Sequence, residues 1–223
     1  MGMYIDHWQI SSRNLYVSAH KLREETGLGF YDGGFLSPVI ANKIFPLGGG
    51  AYIEINGVVD AGAVSDPKTP GAKAYMDRTV KGDCFSLIAM RVDTLAELEQ
   101  IAKRHRSTVS QGGRTRPDGP PVKWFSTPAG AAPAGRVNWY CHEDRQYMHP
   151  SGQPAISAPG LVTPRGVAWL EMGGTEKEMD EWIGQPSAPF GYRFNGKAHG
   201  LYAIAVKTDK GEVVIRRRPL LDN

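Results

Sequence analysis

The order of the predicted elements is the feature that most constrains the fold. A strand, a helix and then several short strands follow one another, and this succession returns twice along the 223 residues. The three passes are spaced by roughly 80 residues, which indicates an architectural repeat although the residues themselves differ too much to show it by identity. Helices that alternate with groups of turn-linked strands predict an α+β fold of repeated βαβββ modules.

The first pass begins with a strand over residues 4–10, whose alternation defines two faces. One face carries Ile5, His7 and Gln9, and the other carries Asp6, Trp8 and Ile10. Apolar residues at helical spacing follow from Leu15 to Leu22, and Gly27 ends that helix. Three consecutive glycines then predict a turn between strands at 42–47 and 51–55.

The later passes repeat this order with clear helix-start signals. Asp93 is the predicted N-cap of the second helix, and Thr175 and Glu178 form a capping box at the third. The remaining predicted strands cover 85–92, 122–126, 137–142, 167–172, 201–207 and 213–217. These segments predict a domain over 1–150 with modules at 1–62 and 83–150, and a third module at 165–223. The Pro- and Gly-rich stretch 149–164 is the predicted boundary.

Composition excludes several classes of protein. The net charge is only +3, and the single tight basic run, 216–218, is no nucleic-acid footprint. No segment is apolar enough for a signal peptide or a membrane span, so we expect a cytoplasmic protein without nucleic-acid or membrane partners. Cys84 and Cys141 lack the close spacing of zinc or redox pairs and are predicted to be reduced thiols.

Candidate metal ligands lie within the predicted strands. His7 lies mid-strand, and Glu54 shares a strand face with Tyr52 and Asn56. A buried carboxylate is costly unless it is paired or coordinated. An imidazole nitrogen with a carboxylate oxygen suits zinc, manganese, iron or nickel. The alternative for each residue is an ordinary hydrogen-bonded or ion-paired strand side chain.

Further candidates lie later in the chain. In the strand NWYCHEDR, either His142 or Glu143 must face inward, depending on which face the sheet buries. Arg114, in the irregular stretch before Trp124, could hold a substrate carboxylate or phosphate, or could belong to a solvated turn. The aromatic residues predicted to contact substrate are Trp8, Tyr52 and Trp139.

IDHWQI, a helix ending in TGL, and NKIFPLGGGAYIEI together resemble the opening module of the glyoxalase-like domain family, within the vicinal oxygen chelate superfamily. The match covers about the first sixty residues well, RTRPDGPPVKW and VNWYCHED more loosely, and the last sixty in architecture only. The resemblance implies paired modules that form a half-open, mostly antiparallel barrel. It also implies a divalent metal held by a histidine on a module's first strand and a glutamate on its last.

His7 and Glu54 occupy those two positions, and His142 or Glu143 matches the last-strand position of the second module. The second module's first strand has no matching ligand, so we expect three ligands, His7, Glu54 and His142, with Glu143 as the proton-transfer group. Barrels of this class pair modules in twos. The third module therefore suggests a homodimer.

The function predicted on this basis is a metal-dependent lyase or isomerase that acts on a small carbonyl substrate with vicinal oxygens. Two other classes of function remain open. The missing fourth ligand favours a non-catalytic small-molecule binding protein. Two histidines and one carboxylate also describe the ferrous site of a dioxygenase.

Overall fold

The structure is a computed structural model, which describes residues 2–60, 62, 72–116, 119–128, 135–143 and 159–220. The helices are α1 (Leu15–Thr26), α2 (Ala72–Arg78), α3 (Leu95–Arg104) and α4 (Glu176–Ile183). The strands of the larger sheet are β1 (Met3–Ser12), β2 (Tyr31–Ser37), β3 (Ile40–Gly48), β4 (Ala51–Val58), β5 (Cys84–Val92), β6 (Ser110–Arg114), β7 (Val122–Ser126), β8 (Val137–His142) and β13 (Arg218–Pro219). The strands of the smaller sheet are β9 (Pro164–Met172), β10 (Tyr192–Phe194), β11 (Leu201–Thr208) and β12 (Gly211–Arg216).

The first two modules have the same topology. Their strands run in the order β2-β3-β4-β1-β5-β8-β7-β6 across one sheet. Within each module the first strand pairs in parallel with the last, β1 with β4 and β5 with β8. The two modules join through the antiparallel pair β1–β5 at the centre. This arrangement confirms the predicted α+β fold of βαβββ modules in a half-open, mostly antiparallel barrel.

The two outer strands of this sheet, β2 and β6, nearly meet and almost close the barrel. Phe35 forms an isolated antiparallel bridge with Thr115, whose backbone N–H donates to the Phe35 carbonyl at 3.2 Å. Glycine is required beside this bridge, because a Cβ atom at Gly34 would collide with the Thr115 carbonyl and the φ angle there is +121°. Beyond the bridge no further pairing between β2 and β6 occurs in the described ranges.

Capping residues predicted one helix end and two helix starts, and two of these three predictions are confirmed. Gly27 ends α1 in the left-handed conformation, with φ +73°, and the Thr175–Glu178 capping box starts α4. The prediction of Asp93 as the second N-cap is wrong. Thr94 caps α3 instead, because Glu97 lies three residues later and completes a capping box with it.

The third segment has the predicted order of elements but a different topology. Its sheet runs β10-β9-β11-β12, so β9 lies between β10 and β11 rather than beside the last strand. This sheet packs within the same chain, and its Leu170 and Ile204 share one continuous hydrophobic core with Trp8 and Trp139 of the barrel. The predicted boundary at 149–164 lies largely outside the described residues.

Cys84 and Cys141 are both buried, and neither forms a disulfide. Among the described helices, none has the length and apolar character needed to cross a membrane.

Candidate functional site

A β-bulge in β1 brings two polar side chains together. Ile5 pairs with Met90 and His7 with Ala89, so Asp6 is an extra residue without a partner on β5. A bulge of this kind re-aims a side chain. Asp6 Oδ2 lies 2.8 Å from His7 Nδ1, and the carboxylate is fully buried. The prediction that Asp6 projects from the face opposite His7 is therefore wrong.

The parallel pair β1–β4 places His7 beside Glu54. Their closest polar atoms, His7 Nε2 and Glu54 Oε2, are 3.5 Å apart, and both side chains are buried. Tyr52 stacks on the imidazole ring of His7, with ring centroids 4.8 Å apart. The imidazole is thus fixed by Asp6 at one nitrogen, by Tyr52 at its face and by Glu54 at the other nitrogen.

Glu54 is oriented in turn by the neighbouring strand. Asn42 on β3 donates its side-chain N–H to Glu54 Oε1, which leaves Oε2 for His7. Asn42 Oδ1 accepts from Arg114 Nη1 at 3.3 Å. Arg114, at the end of β6, is only 8% exposed and contacts no carboxylate among the described residues. A buried guanidinium without a carboxylate is an electrostatically favourable place for an anionic ligand.

On β8 the alternation of side chains shows that His142, rather than Glu143, faces inward. Tyr140 and His142 line the cavity, and Trp139 and Cys141 face the core. His142 Nε2 lies 3.6 Å from Asp6 Oδ2, and neither of its ring nitrogens has a hydrogen-bond partner among the described residues. Glu143 is exposed and accepts a hydrogen bond from Gln111 at 2.9 Å, outside the cavity lining.

Two of the aromatic residues predicted to contact substrate point away from the cavity. Trp8 is fully buried in the core, and Trp139 packs there against Trp182 and His105. Each is adjacent in sequence to a cavity residue on the same strand, so the pleat sends it to the opposite face. Tyr52 does line the cavity, together with Trp124 and Tyr140.

These side chains enclose a small cavity inside the barrel. The space that the centre of a water molecule can occupy there is about 70 Å³. The lining residues are His7, Gln9, Leu36, Tyr52, Glu54, Asn56, Arg114, Val122, Trp124, Tyr140 and His142. Gln9, Asn56 and Tyr140 could have been found from the faces already assigned to His7, Glu54 and His142. Trp124 could not, because its orientation depends on Gly112 across the β6–β7 pair, where a Cβ would lie 2.5 Å from its indole nitrogen.

Burial and neighbouring charges set the protonation states around the cavity. Burial on its own would raise the pKa of Asp6, but the adjacent His142 and His7 lower that pKa well below its usual range. Burial, followed by the charge of nearby carboxylates, raises the pKa of Tyr52 and of Tyr140. Asp6 is therefore an anion and both phenols are neutral at physiological pH.

The donor atoms at the cavity meet only some of the requirements of a divalent metal site. His7 Nε2 and Glu54 Oε2 are the outward atoms of a neighbouring pair, and the second nitrogen of His7 is bound to a carboxylate, as is usual for a metal-ligating histidine. Within the described ranges, however, no group of three or more His, Cys, Asp and Glu side chains is arranged to hold an ion. His142, predicted as the third ligand, faces Asp6.

The sequence profile of the glyoxalase-like domain family matches residues 5–174, about three quarters of the chain. The fold and the profile together establish that this chain belongs to the glyoxalase-like domain family, as the resemblance of its first module predicted. No curated protein matches the sequence.

Among solved structures, a hypothetical protein from Staphylococcus aureus has a TM-score of 0.58 and 12% identity, over 98% of this chain and 88% of that one. Methylmalonyl-CoA epimerase from Mycobacterium tuberculosis has a TM-score of 0.45 and 16% identity, over 62% of this chain and 86% of that one. A hypothetical protein from Bacillus halodurans has a TM-score of 0.45 and 15% identity, over 67% of this chain and 99% of that one. The first of these similarities supports the fold over nearly the whole chain, including the third segment.

Proposed function

We propose that this protein is a metal-dependent isomerase or lyase that acts on a small carbonyl compound with adjacent oxygen atoms. The observation that carries the proposal is the pair His7 Nε2 and Glu54 Oε2, 3.5 Å apart at the cavity, with His7 Nδ1 held by the buried Asp6. His7 and Glu54 would hold the ion, with the remaining coordination positions left to water, substrate or a third side chain. A bound divalent ion supplies a Lewis acid that polarises a carbonyl and stabilises enolate-like charge.

The other cavity residues have complementary roles in this proposal. Arg114 binds an anionic group of the substrate through N–H donors of its guanidinium, which contacts no carboxylate among the described residues. The neutral phenols of Tyr52 and Tyr140 donate hydrogen bonds to substrate oxygens, because their raised pKa keeps them protonated. Asp6 holds His7 in one tautomer and orientation, with the proton on Nδ1.

For the proton transfer we assign His142 rather than the exposed Glu143. The imidazole of His142 lines the cavity, and its Nε2 lies 3.6 Å from the Asp6 carboxylate, so it is positioned as a general base. A ring nitrogen would accept the proton from the carbon next to the carbonyl, and the electron pair of the broken C–H bond would move onto the carbonyl oxygen. Return of the proton to another position gives an isomer, and loss of a leaving group gives a lyase reaction.

Elemental analysis of protein purified without chelator tests the proposal. We expect close to one equivalent of a divalent metal in the unmodified protein. Glu54→Ala should lower that content at least tenfold, because loss of even a residue that only orients a metal ligand typically costs 10–100-fold in metal affinity. Glu143→Ala is the matched control, since its carboxylate is exposed outside the cavity and its loss should leave the metal content unchanged. Equal metal content in the Glu54→Ala variant and the unmodified protein would contradict the proposal.

A second candidate, a binding protein without catalysis, is favoured by the absence of a three-donor group among the described residues. Metal-free protein that retains full ligand affinity and catalyses no proton exchange would support this candidate. The dioxygenase alternative predicts iron in the purified protein together with oxygen consumption. No contact of the described residues favours it.

A further inference from the structure

A wide groove continues from the cavity to the protein surface. It lies where β2 and β6 separate beyond the Phe35–Thr115 bridge, and its volume is about 690 Å³. Its walls are residues 35–38 on one side and 111–115 and 121–123 on the other. Leu36, Arg114 and Val122 line both the groove and the cavity, so the two spaces meet at these three side chains.

The chemistry of the groove differs from that of the cavity. Its side chains are largely apolar: Phe35, Leu36, Pro38, Pro121 and Val122. Phe35 is 49% exposed at the groove although it is a large aromatic residue. The single buried cation among the described wall residues is Arg114, at the inner end, where one N–H donates to Asn42 and the guanidinium contacts no described carboxylate. Arg114 is thus the buried charge at the inner end, whereas the second cation of the described wall, Lys123, is exposed to solvent.

The cavity and the groove differ in size, and this difference determines which part of a ligand each can hold. A cavity of about 70 Å³ has room for a few water-sized groups, so it accepts a carboxylate with an adjacent carbonyl but not a longer molecule. Any longer part of a bound molecule must pass Leu36 and Val122 into the groove. Apolar surface exposed along that path is stabilised when an apolar chain covers it.

We propose that the substrate is an amphipathic organic acid, with its anionic group at Arg114 and its apolar chain in the groove between β2 and β6. The inference rests on the proposed function, since the cavity that receives the head of the molecule is the proposed reaction site. To the proposed reaction the inference adds a class of substrate, because the groove selects for chain length and Arg114 selects for negative charge.

Calorimetric titration of the full-length protein with α-ketobutyrate, α-ketohexanoate and α-ketooctanoate tests this substrate class. We expect the affinity to rise about threefold to fourfold for each added methylene group that the groove buries. Methyl ketones of the same lengths lack the carboxylate and should bind about tenfold more weakly. An affinity that does not depend on chain length, equal binding of the ketones, or no binding of any acid would each overturn the inference.

A variant of the groove separates its contribution from that of the cavity. Phe35→Ala should weaken α-ketooctanoate about tenfold and leave α-ketobutyrate unchanged, because a truncated aromatic ring removes apolar contact only from the chain. Tyr16→Ala is the matched control, since Tyr16 is an aromatic residue of α1 that is 55% exposed and does not line the groove. Equal weakening of both acids by Phe35→Ala would overturn the groove assignment.

Titration and metal analysis together distinguish a failure of the groove assignment from a failure of the proposed metal-dependent reaction. The titrations are repeated on protein stripped of metal, so that chain-length dependence is measured without the ion. Normal metal content in the unmodified protein with no dependence on chain length contradicts only the groove assignment. Dependence on chain length with equal metal content in the Glu54→Ala variant contradicts only the metal-dependent reaction.

Discussion

Gly33 on β2 makes room for the polar contacts that orient the site. A Cβ atom there would lie 2.6 Å from Arg114 Nη1 and 2.8 Å from Ile44 Cγ1, and would also collide with Asn42 Oδ1. These distances are shorter than any stable van der Waals contact, so a side chain at this position must displace Arg114 and Asn42. The position of the guanidinium therefore depends on a residue that itself contributes no functional group.

Gly33→Ala should lower both stability and anion binding. We expect a loss of about 1–3 kcal/mol in the free energy of unfolding, measured by chemical denaturation, because the buried site is overpacked. The affinity for α-ketobutyrate should fall in the same variant. Gly119→Ala serves as the control, since the nearest atom to a Cβ there is 3.5 Å away. Unchanged stability and affinity in Gly33→Ala would show that the site has room that this geometry excludes.

At the scale of the element, α4 shows how one carboxylate stabilises a helix start. Glu178 accepts hydrogen bonds from the hydroxyl and backbone N–H of Thr175, and the backbone N–H of Glu178 donates to the Thr175 hydroxyl. The two bonds that the carboxylate accepts from Thr175, together with the contact to His199, lower the pKa of Glu178 to about 2 from its ordinary value of 4.5. The ionised form of Glu178 therefore stabilises the folded state more than its protonated form does.

The pH dependence of Glu178→Gln follows from this shift. A carboxyl group whose pKa is lower in the folded state stabilises the fold above the unfolded pKa, and this contribution disappears as pH falls through the folded pKa. We expect Glu178→Gln to be less stable than the unmodified protein at neutral pH, and the difference to shrink between about pH 4.5 and pH 2. Denaturation curves across this range measure it. Glu176→Gln, in the same first turn but outside the capping box, is the control.

For the whole molecule, the barrel and the third segment share one hydrophobic core. Leu170 on β9 is fully buried in the same cluster as Trp8, Phe45 and Ile88 of the barrel. The third segment is therefore covered within its own chain, and the sequence-based reason for a partner subunit no longer applies. The homodimer remains a prediction, which light scattering tests against the chain mass of 24.4 kDa.

Leu170→Ala tests whether the two sheets unfold together. We expect a loss of about 2–5 kcal/mol, because the substitution leaves a cavity in the shared core. Since the core is continuous, tryptophan fluorescence and far-ultraviolet circular dichroism should report one transition at the same denaturant concentration. Val214→Ala, at a position of the same sheet that is 40% exposed, should change stability by no more than about 0.5 kcal/mol. Two separate transitions would show that the third segment folds independently.

Several features could be predicted because their causes are local in sequence. Alternation assigned Tyr52, Glu54 and Asn56 to one face of β4, and glycine and capping residues predicted the C-terminal end of α1 and the start of α4. β2 was not predicted, because YDGGFLS contains two glycines and no alternation of apolar residues. Its pairing with β3 determines its strand structure.

The sequence by itself determined the order of strands and helices, the proximity of His7 and Glu54, and the family, because strand periodicity and the motifs of the first module are local features of the chain. Only the tertiary structure decided that Asp6 joins His7, since a bulge depends on the partner strand β5. It also decided that His142 rather than Glu143 faces the cavity, and that Trp8 and Trp139 lie in the core. Which face of a strand is inward depends on what packs against it, and those partners are distant in sequence.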